Sequence, residues 1–158
     1  MRLQRESANF GAARTNATCT MAISRLDFDY DYDFLLFGIS SHMKDYRLCW
    51  SLNRQLEIDL AREEDIQLDD KSEPRLFSFY TFDNEEQRLR YILVANRGEV
   101  GYLVNEQKQA DYFLVIEGFY DQLNRPEVLD KVRKSPFVLT AFELDPNELK
   151  SRQNLLFD

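Results

Sequence analysis

Acidic and apolar residues alternate strictly over residues 26–34, with an aspartate at each odd position and mostly Phe or Tyr between them. A period of two is typical of a strand with one exposed face, so this segment predicts an acid-lined edge strand. The run that follows, residues 34–39, is apolar almost throughout and predicts a buried strand.

A helix is predicted over residues 43–56, because apolar side chains recur there at helical spacing. Ser40 or Ser41 is expected to cap its start. Two neighbouring rows of side chains form the stripe that is expected to face the core: Leu48, Leu52 and Leu56 with Cys49, and beside them Tyr46, Trp50 and Asn53.

The middle of the chain predicts an antiparallel meander. Residues 61–73 are charged and are expected to be turn-like, whereas the period changes to two beyond Pro74. Tight turns are expected at residues 83–86 and around Gly98. The strands expected from this pattern are 76–82, 89–95, 100–104 and 112–116.

The last third predicts a strand, a helix and a further strand over residues 112–144. Gly118 is expected to end the first strand, and Asn124 to cap a helix that ends at Ser135-Pro136. Asp145 is then expected to cap a short final helix.

These elements predict an α+β fold: a mostly antiparallel sheet of five to six strands, with two main helices packed on one face and a short C-terminal helix. The C-terminal half looks like half of a ferredoxin-like, ACT-type domain. One domain is expected over residues 21–158. Residues 1–20 lack apolar periodicity and are expected to be a disordered arm or, alternatively, to precede a natural start at Met21.

Composition excludes several classes of function. The formal net charge is −8, and an acidic domain repels phosphates, so nucleic acid is a disfavoured partner. No apolar run approaches the roughly 20 residues that cross a bilayer, so no membrane partner is expected. Two cysteines and one histidine cannot supply a four-ligand zinc site, and no cofactor or metal is predicted.

No catalytic constellation stands out. His42 could form a set with Ser41 and Asp45, but neighbours at a helix start do not converge on one point. Cys49 lies on the apolar stripe and is expected to be a core residue. The aspartates of residues 27–33 lack the Gly and Glu that an EF-hand loop needs.

Two features suggest binding, each with a plainer alternative. Arg97 lies in a predicted turn and can grip a carboxylate or phosphate, or can simply be solvated. The tail is similar to the Gln-Leu-x-Leu-Phe peptides that dock on bacterial sliding clamps, although Asn154 replaces the first Leu; alternatively, it packs on the sheet. The residues that would dock are Gln153, Leu155, Leu156 and Phe157.

One segment carries a family resemblance. Val104-Asn105-Glu106, three residues and then Ala110-Asp111-Tyr112 resembles the signature of the bacterial IPExxxVDY family, with Asn105 in place of the proline. The resemblance extends over about residues 26–158. It implies a cytoplasmic protein of a group whose function is unassigned.

Three hypotheses follow. The first is a non-enzymatic protein-interaction or regulatory module that binds another protein or itself. The second is an ACT-like sensor of a small molecule, and the third an enzyme using Glu106 and Asp111. Arg97, Glu106, Asp111 and Tyr112 are the candidate binding residues, and a structural clasp is the alternative role for the signature. A deep pocket holding both acids, with a raised carboxylate pKa, would favour an enzyme. A flat apolar patch rimmed by acids would favour a binding module, and a cleft at a two-fold interface would favour a sensor.

Overall fold

The computed structural model describes residues 33–68 and 74–157. The expectations for the arm and Met21 lie outside these ranges, as does the acidic strand predicted over 26–34 except for Asp33 and Phe34, which precede β1 and belong to no strand. Within the described residues, a six-stranded antiparallel sheet has the order β2-β5-β6-β7-β1-β8, and β3 and β4 form a separate pair. The strands are β1 Leu35–Ser40, β2 Ala61–Arg62, β3 Ile66–Leu68, β4 Arg75–Phe77, β5 Phe79–Asn84, β6 Leu89–Ala95, β7 Tyr112–Gly118 and β8 Thr140–Leu144; the α-helices are α1 Asp45–Leu56 and α2 Arg125–Arg133.

The α+β class, the antiparallel sheet and the two main helices are confirmed. Strands β5, β6 and β7 form the expected meander, and β1 lies between β7 and β8. Leu36 of β1 is opposite Val115 of β7 on one side and Leu144 of β8 on the other. Because β7 and β8 are both antiparallel to β1, they run parallel to each other, and β7-α2-β8 is a split β-α-β unit. The likeness of this half to an ACT-type domain stays a prediction.

Both helices cover one face of the sheet. Side chains alternate across β1, so that Phe37 points into the helix-covered core while Leu36 points to the other face. Leu48 and Leu52 of α1 and Val132 of α2 are fully buried in that first core.

The second face is covered without an α-helix. Phe77 of β4, the connection between β6 and β7, and the segment after β8 bury their apolar side chains against it. The buried residues of that connection are Leu103, Val104 and Ala110, and those after β8 are Leu149 and Leu155.

Two expectations about α1 are wrong. Its N-cap is Lys44, which makes no side-chain cap; Ser41 instead accepts from the backbone N–H of Met43 and donates to the Phe137 carbonyl. The stripe is also narrower than expected, since Tyr46 and Trp50 are 61% and 56% exposed.

Three expectations about strands and one about a turn also need correction. The charged segment contains β2 and β3. The strand predicted over residues 76–82 is interrupted at Ser78 and forms β4 and β5, which pair with different strands. Alternation could not predict this interruption, because it indicates which side chains are buried but not which strand is the partner. Residues 100–104 form no strand, and only an isolated bridge joins Arg97 and Tyr102 there. The turn of the β5–β6 hairpin lies at 85–88, whereas it was expected at 83–86.

The chemistry of the other element ends is as predicted. Gly118 ends β7 with φ of +105°, and a β-carbon there would collide with the Arg88 carbonyl oxygen. Asn124 caps α2 by accepting from the Glu127 N–H, and Asp145 caps a 3₁₀ turn, Pro146–Glu148. A second 3₁₀ turn, Arg152–Leu155, completes the predicted short helix. No helix in the described ranges has the length and apolarity needed to cross a bilayer.

Candidate functional site

Asn96 organises the connection between β6 and β7. Its side chain is fully buried, donates to the carbonyls of Gln107 and Ala110 at 2.8 Å each, and accepts from the Val104 N–H at 2.7 Å. The backbone carbonyl of Asn96 also accepts from the Leu103 N–H. Both N–H groups of the side-chain amide therefore donate and its oxygen accepts, so one side chain determines the backbone path of residues 103–110.

Asp111 joins that connection to the start of α1. One carboxylate oxygen accepts from the Ser41 N–H at 2.9 Å, and the other lies 2.7 Å from the Arg97 guanidinium. Asp111 is 12% exposed, whereas Arg97 is 60% exposed. The aspartate is thus a largely buried acceptor for the β1–α1 turn, and its other oxygen pairs with the exposed Arg97.

Tyr112 holds the same turn from β7. Its ring is buried and its hydroxyl donates to the Met43 carbonyl at 2.8 Å. Burial raises the pKa of this hydroxyl to about 12, so it remains a donor at physiological pH. A cleft of about 250 Å³ lies over these contacts, bordered by Ser41, His42, Met43, Arg97, Asp111 and Tyr112.

Glu106 lies apart from this group and anchors the C-terminal segment. Its carboxylate accepts from the N–H and the hydroxyl of Ser151 at 2.7 and 2.9 Å. Burial acts to raise the pKa of the Glu106 carboxyl, but the hydrogen bonds from Ser151 outweigh it and lower the pKa below its usual range.

The structure therefore brings together three of the four predicted binding residues: Arg97, Asp111 and Tyr112. Glu106 binds a different segment, and its lowered pKa is the opposite of what a general acid needs. The signature residues act as two clasps, one holding the β1–α1 turn and one holding the 3₁₀ segment after β8.

The predicted docking tail packs on the second face of the sheet. Leu155 is fully buried, and the Phe157 ring centroid lies 5.1 Å from that of Phe79. Asn154 donates to the Leu103 carbonyl at 2.8 Å. Docking of this tail on a partner would require it to leave the core first.

An exposed aromatic cleft was missed by the sequence reasoning. Tyr46, Arg47 and Trp50 of α1 line it together with Phe137, and its volume is about 410 Å³; we call this set the aromatic cleft. The helical positions contained a signal for this exposure, because residues 46 and 50 lie on the side of the helix away from the row of leucines. The cleft was missed because the rings of Tyr46 and Trp50 were both expected to face the core.

Two arginines border the aromatic cleft. The Arg54 guanidinium carbon lies 4.9 Å from the centroid of the Trp50 ring, a cation–π contact, and Arg47 is part of the cleft wall. Within the described ranges, neither side chain has a carboxylate partner within 4.0 Å. Acids do pair with four other arginines in these ranges, namely Arg62, Arg90, Arg97 and Arg125.

The remaining titratable candidates have ordinary structural surroundings. Cys49 is buried in the first core, and burial, with Asp45 and Asp59 nearby, raises the pKa of its thiol to about 11. In the part of the chain that the structure describes, no three His, Cys, Asp or Glu side chains are grouped so that they could hold a metal ion.

Comparison with protein-family models gives no match to this chain. Comparison with curated proteins gives no match either.

Proposed function

We propose that this chain is a non-enzymatic protein-interaction module and that the aromatic cleft is its binding surface. One observation carries the proposal: the outward face of α1 presents Tyr46 and Trp50, each more than half exposed, where an ordinary surface helix presents polar side chains. Trp, Tyr and Arg are the residue types that dominate binding energy at protein interfaces.

The inner face of the same helix supports this role. Leu48 and Leu52 are fully buried, and the Ser51 hydroxyl is 2.8 Å from that of Ser135, which joins α1 to the segment leading to Phe137. Both walls of the cleft are therefore fixed by the core. A surface that is ordered before binding loses less conformational entropy on association.

The clasp residues have a supporting role in this proposal. Asp111 and Tyr112 hold Ser41 and Met43, the residues that lead into α1. They fix where the helix begins and hence where the aromatic cleft lies. Arg97 pairs with Asp111 and is not expected to touch the partner.

Affinity purification from the cells that make the protein tests the proposal, with wild type compared with Trp50→Ala. A partner should be captured by wild type, and its affinity, measured again with both purified proteins, should fall at least about tenfold in Trp50→Ala. Phe119→Ala is the matched control, because Phe119 is an equally exposed aromatic at the far end of β7. Equal binding by wild type and Trp50→Ala would reject the cleft.

A small-molecule sensor is the second candidate, and one observation favours it. The split β-α-β unit leaves β8 at the edge of the sheet, where ACT-type domains pair to form ligand sites. Sedimentation with and without a panel of amino acids tests it: a ligand-dependent dimer would favour the sensor, and an unchanged monomer would remove it.

A further inference from the structure

We infer that the partner of the aromatic cleft is a protein segment with an apolar side chain flanked by carboxylates. This rests on the proposed function and adds the chemistry of the partner. The aromatic cleft indicates that the partner inserts an apolar side chain, and the two arginines beside the cleft indicate that this side chain has carboxylates next to it.

The shape of α1 places these groups together. Tyr46, Trp50 and Arg54 follow each other at intervals of four residues and therefore form one ridge along the helix. Arg47 is one turn from Trp50 on the adjacent side and forms part of the cleft wall. An apolar side chain inserted beside Trp50 would consequently have a guanidinium on either side.

Charge balance makes the two arginines informative. The chain has 28 acidic and 20 Lys or Arg residues, so acids are in excess, and carboxylates lie within 4.0 Å of Arg62, Arg90, Arg97 and Arg125. Arg47 and Arg54 nevertheless have no carboxylate within 4.0 Å in the described ranges. A guanidinium offers paired donors that match a carboxylate, and an acidic partner would satisfy both arginines.

Nucleic-acid phosphates would also satisfy guanidinium groups. The net charge of −8 opposes the approach of a polyanion, whereas a short acidic segment carries its few charges only where the arginines are. The protein segment is therefore the occupant we infer, and nucleic acid is an outcome of the test.

Selection from a displayed library of random peptides tests the inference. The full chain is the bait, and peptides that also bind Trp50→Ala are discarded. Enriched peptides are then titrated while the fluorescence of Trp50, the one tryptophan of the sequence, is recorded. A single-stranded oligonucleotide is titrated in parallel.

Arg47→Glu/Arg54→Glu is the diagnostic variant, and Arg88→Glu/Lys108→Glu is its control. Arg88 and Lys108 also lie over aromatic rings, those of Phe119 and Tyr102, so the control removes the same kind of contact elsewhere. We expect the enriched peptides to carry an excess of Asp and Glu around an apolar residue. Their affinity should fall at least about tenfold in the diagnostic variant and less than about twofold in the control.

The outcomes separate the inference from the proposed function. Trp50-dependent peptides without excess acid, or with unchanged affinity for Arg47→Glu/Arg54→Glu, overturn the inference and leave the cleft as a binding surface. No Trp50-dependent peptide at all overturns both. Arginine-dependent binding of the oligonucleotide that is tighter than that of any peptide also overturns the inference.

Discussion

The side-chain amide of Asn96 donates to the carbonyl of Ala110 at 2.8 Å, and both residues are fully buried. Asn96 directly follows β6 and Ala110 comes two residues before β7. The bond helps to close the long connection at its base, where the backbone bond from the Asn96 N–H to the Asp111 carbonyl continues the pairing of β6 with β7.

Asn96→Ala should destabilise the fold by about 3 kcal/mol, because it leaves the buried Val104 N–H and Ala110 carbonyl without the Asn96 side chain as partner and removes one of two hydrogen bonds to the Gln107 carbonyl. Urea unfolding followed by circular dichroism measures this free energy. Asn84→Ala is the control, since the Asn84 side chain bonds only to its turn neighbour Gln87 and should cost less than about 1 kcal/mol. Equal losses for the two variants would contradict the central role of Asn96.

Glu106→Gln and Ser151→Ala should each lower stability by about 1 kcal/mol at neutral pH, and their effects should not add. The reason is that the two changes share the bond from the Ser151 hydroxyl: Ser151→Ala removes its donor, and Glu106→Gln leaves one acceptor oxygen for the two donors of Ser151. A double-mutant cycle in urea measures the coupling. Additive losses would show that the clasp does not form in solution.

The Glu106 clasp should also be sensitive to acid. The pKa of the Glu106 carboxyl is lower in the folded chain than its ordinary value of 4.5, so folding favours the ionised form. The stabilisation is complete above 4.5 and is lost as the pH falls through the folded pKa. The stability difference between wild type and Glu106→Gln should therefore shrink as the pH is lowered below 4.5, and a constant difference would contradict it.

Asp111→Ala should cost about 1–3 kcal/mol, whereas Arg97→Ala should cost less than about 1 kcal/mol. Asp111 is nearly buried and accepts from the Ser41 N–H, but Arg97 is mostly exposed. Thermal and urea unfolding of both variants measure the contrast. A larger loss in Arg97→Ala would mean that the ion pair, and not the bond to Ser41, holds the turn.

Cys49 should resist thiol reagents in the native chain at pH 8. Its thiol is buried and has a pKa of about 11, so the reactive thiolate is scarce. Modification kinetics in a Cys19→Ser background measure this, and the rate should rise sharply in unfolding concentrations of urea. Rapid labelling without denaturant would contradict the burial of Cys49.

The two faces of α1 should respond differently to truncation. Leu52→Ala should cost about 2–5 kcal/mol, because the side chain is fully buried. Trp50→Ala should change the free energy of unfolding by less than about 1 kcal/mol, since the ring is mostly exposed. Comparable losses would show that Trp50 serves the core instead of a partner.

The alternation of side chains was sufficient to predict the regular part of the fold. Strands β1, β6 and β7, helix α2 and its Asn124 cap were predicted because local periodicity and capping chemistry decide them. The division at Ser78 could not be predicted, because the same alternation continues while the backbone changes its partner strand. The pattern of residues 100–104 was misleading, because Asn96 accepts the N–H groups of Leu103 and Val104 with its backbone carbonyl and its side chain, and a strand would use these groups for pairing.

The candidate site was predicted only in part. The resemblance to the IPExxxVDY signature pointed to Glu106, Asp111 and Tyr112, and charge pointed to Arg97, but no local rule indicates that Asn96 lies at the centre of the loop. The exposure of Tyr46 and Trp50 could not be predicted either, since apolar side chains at helical spacing fit a wide stripe as well as a narrow one.

The position of β1 has a consequence for biosynthesis. This strand carries fully buried Leu36, Phe37 and Ile39, and both of its neighbours, β7 and β8, come from the second half of the described chain. A nascent chain therefore displays an apolar strand with unsatisfied backbone groups until translation has passed β8. Such long-range pairing slows folding and lengthens exposure to aggregation, so we expect chaperone dependence to be concentrated in the interval between synthesis of β1 and synthesis of β8.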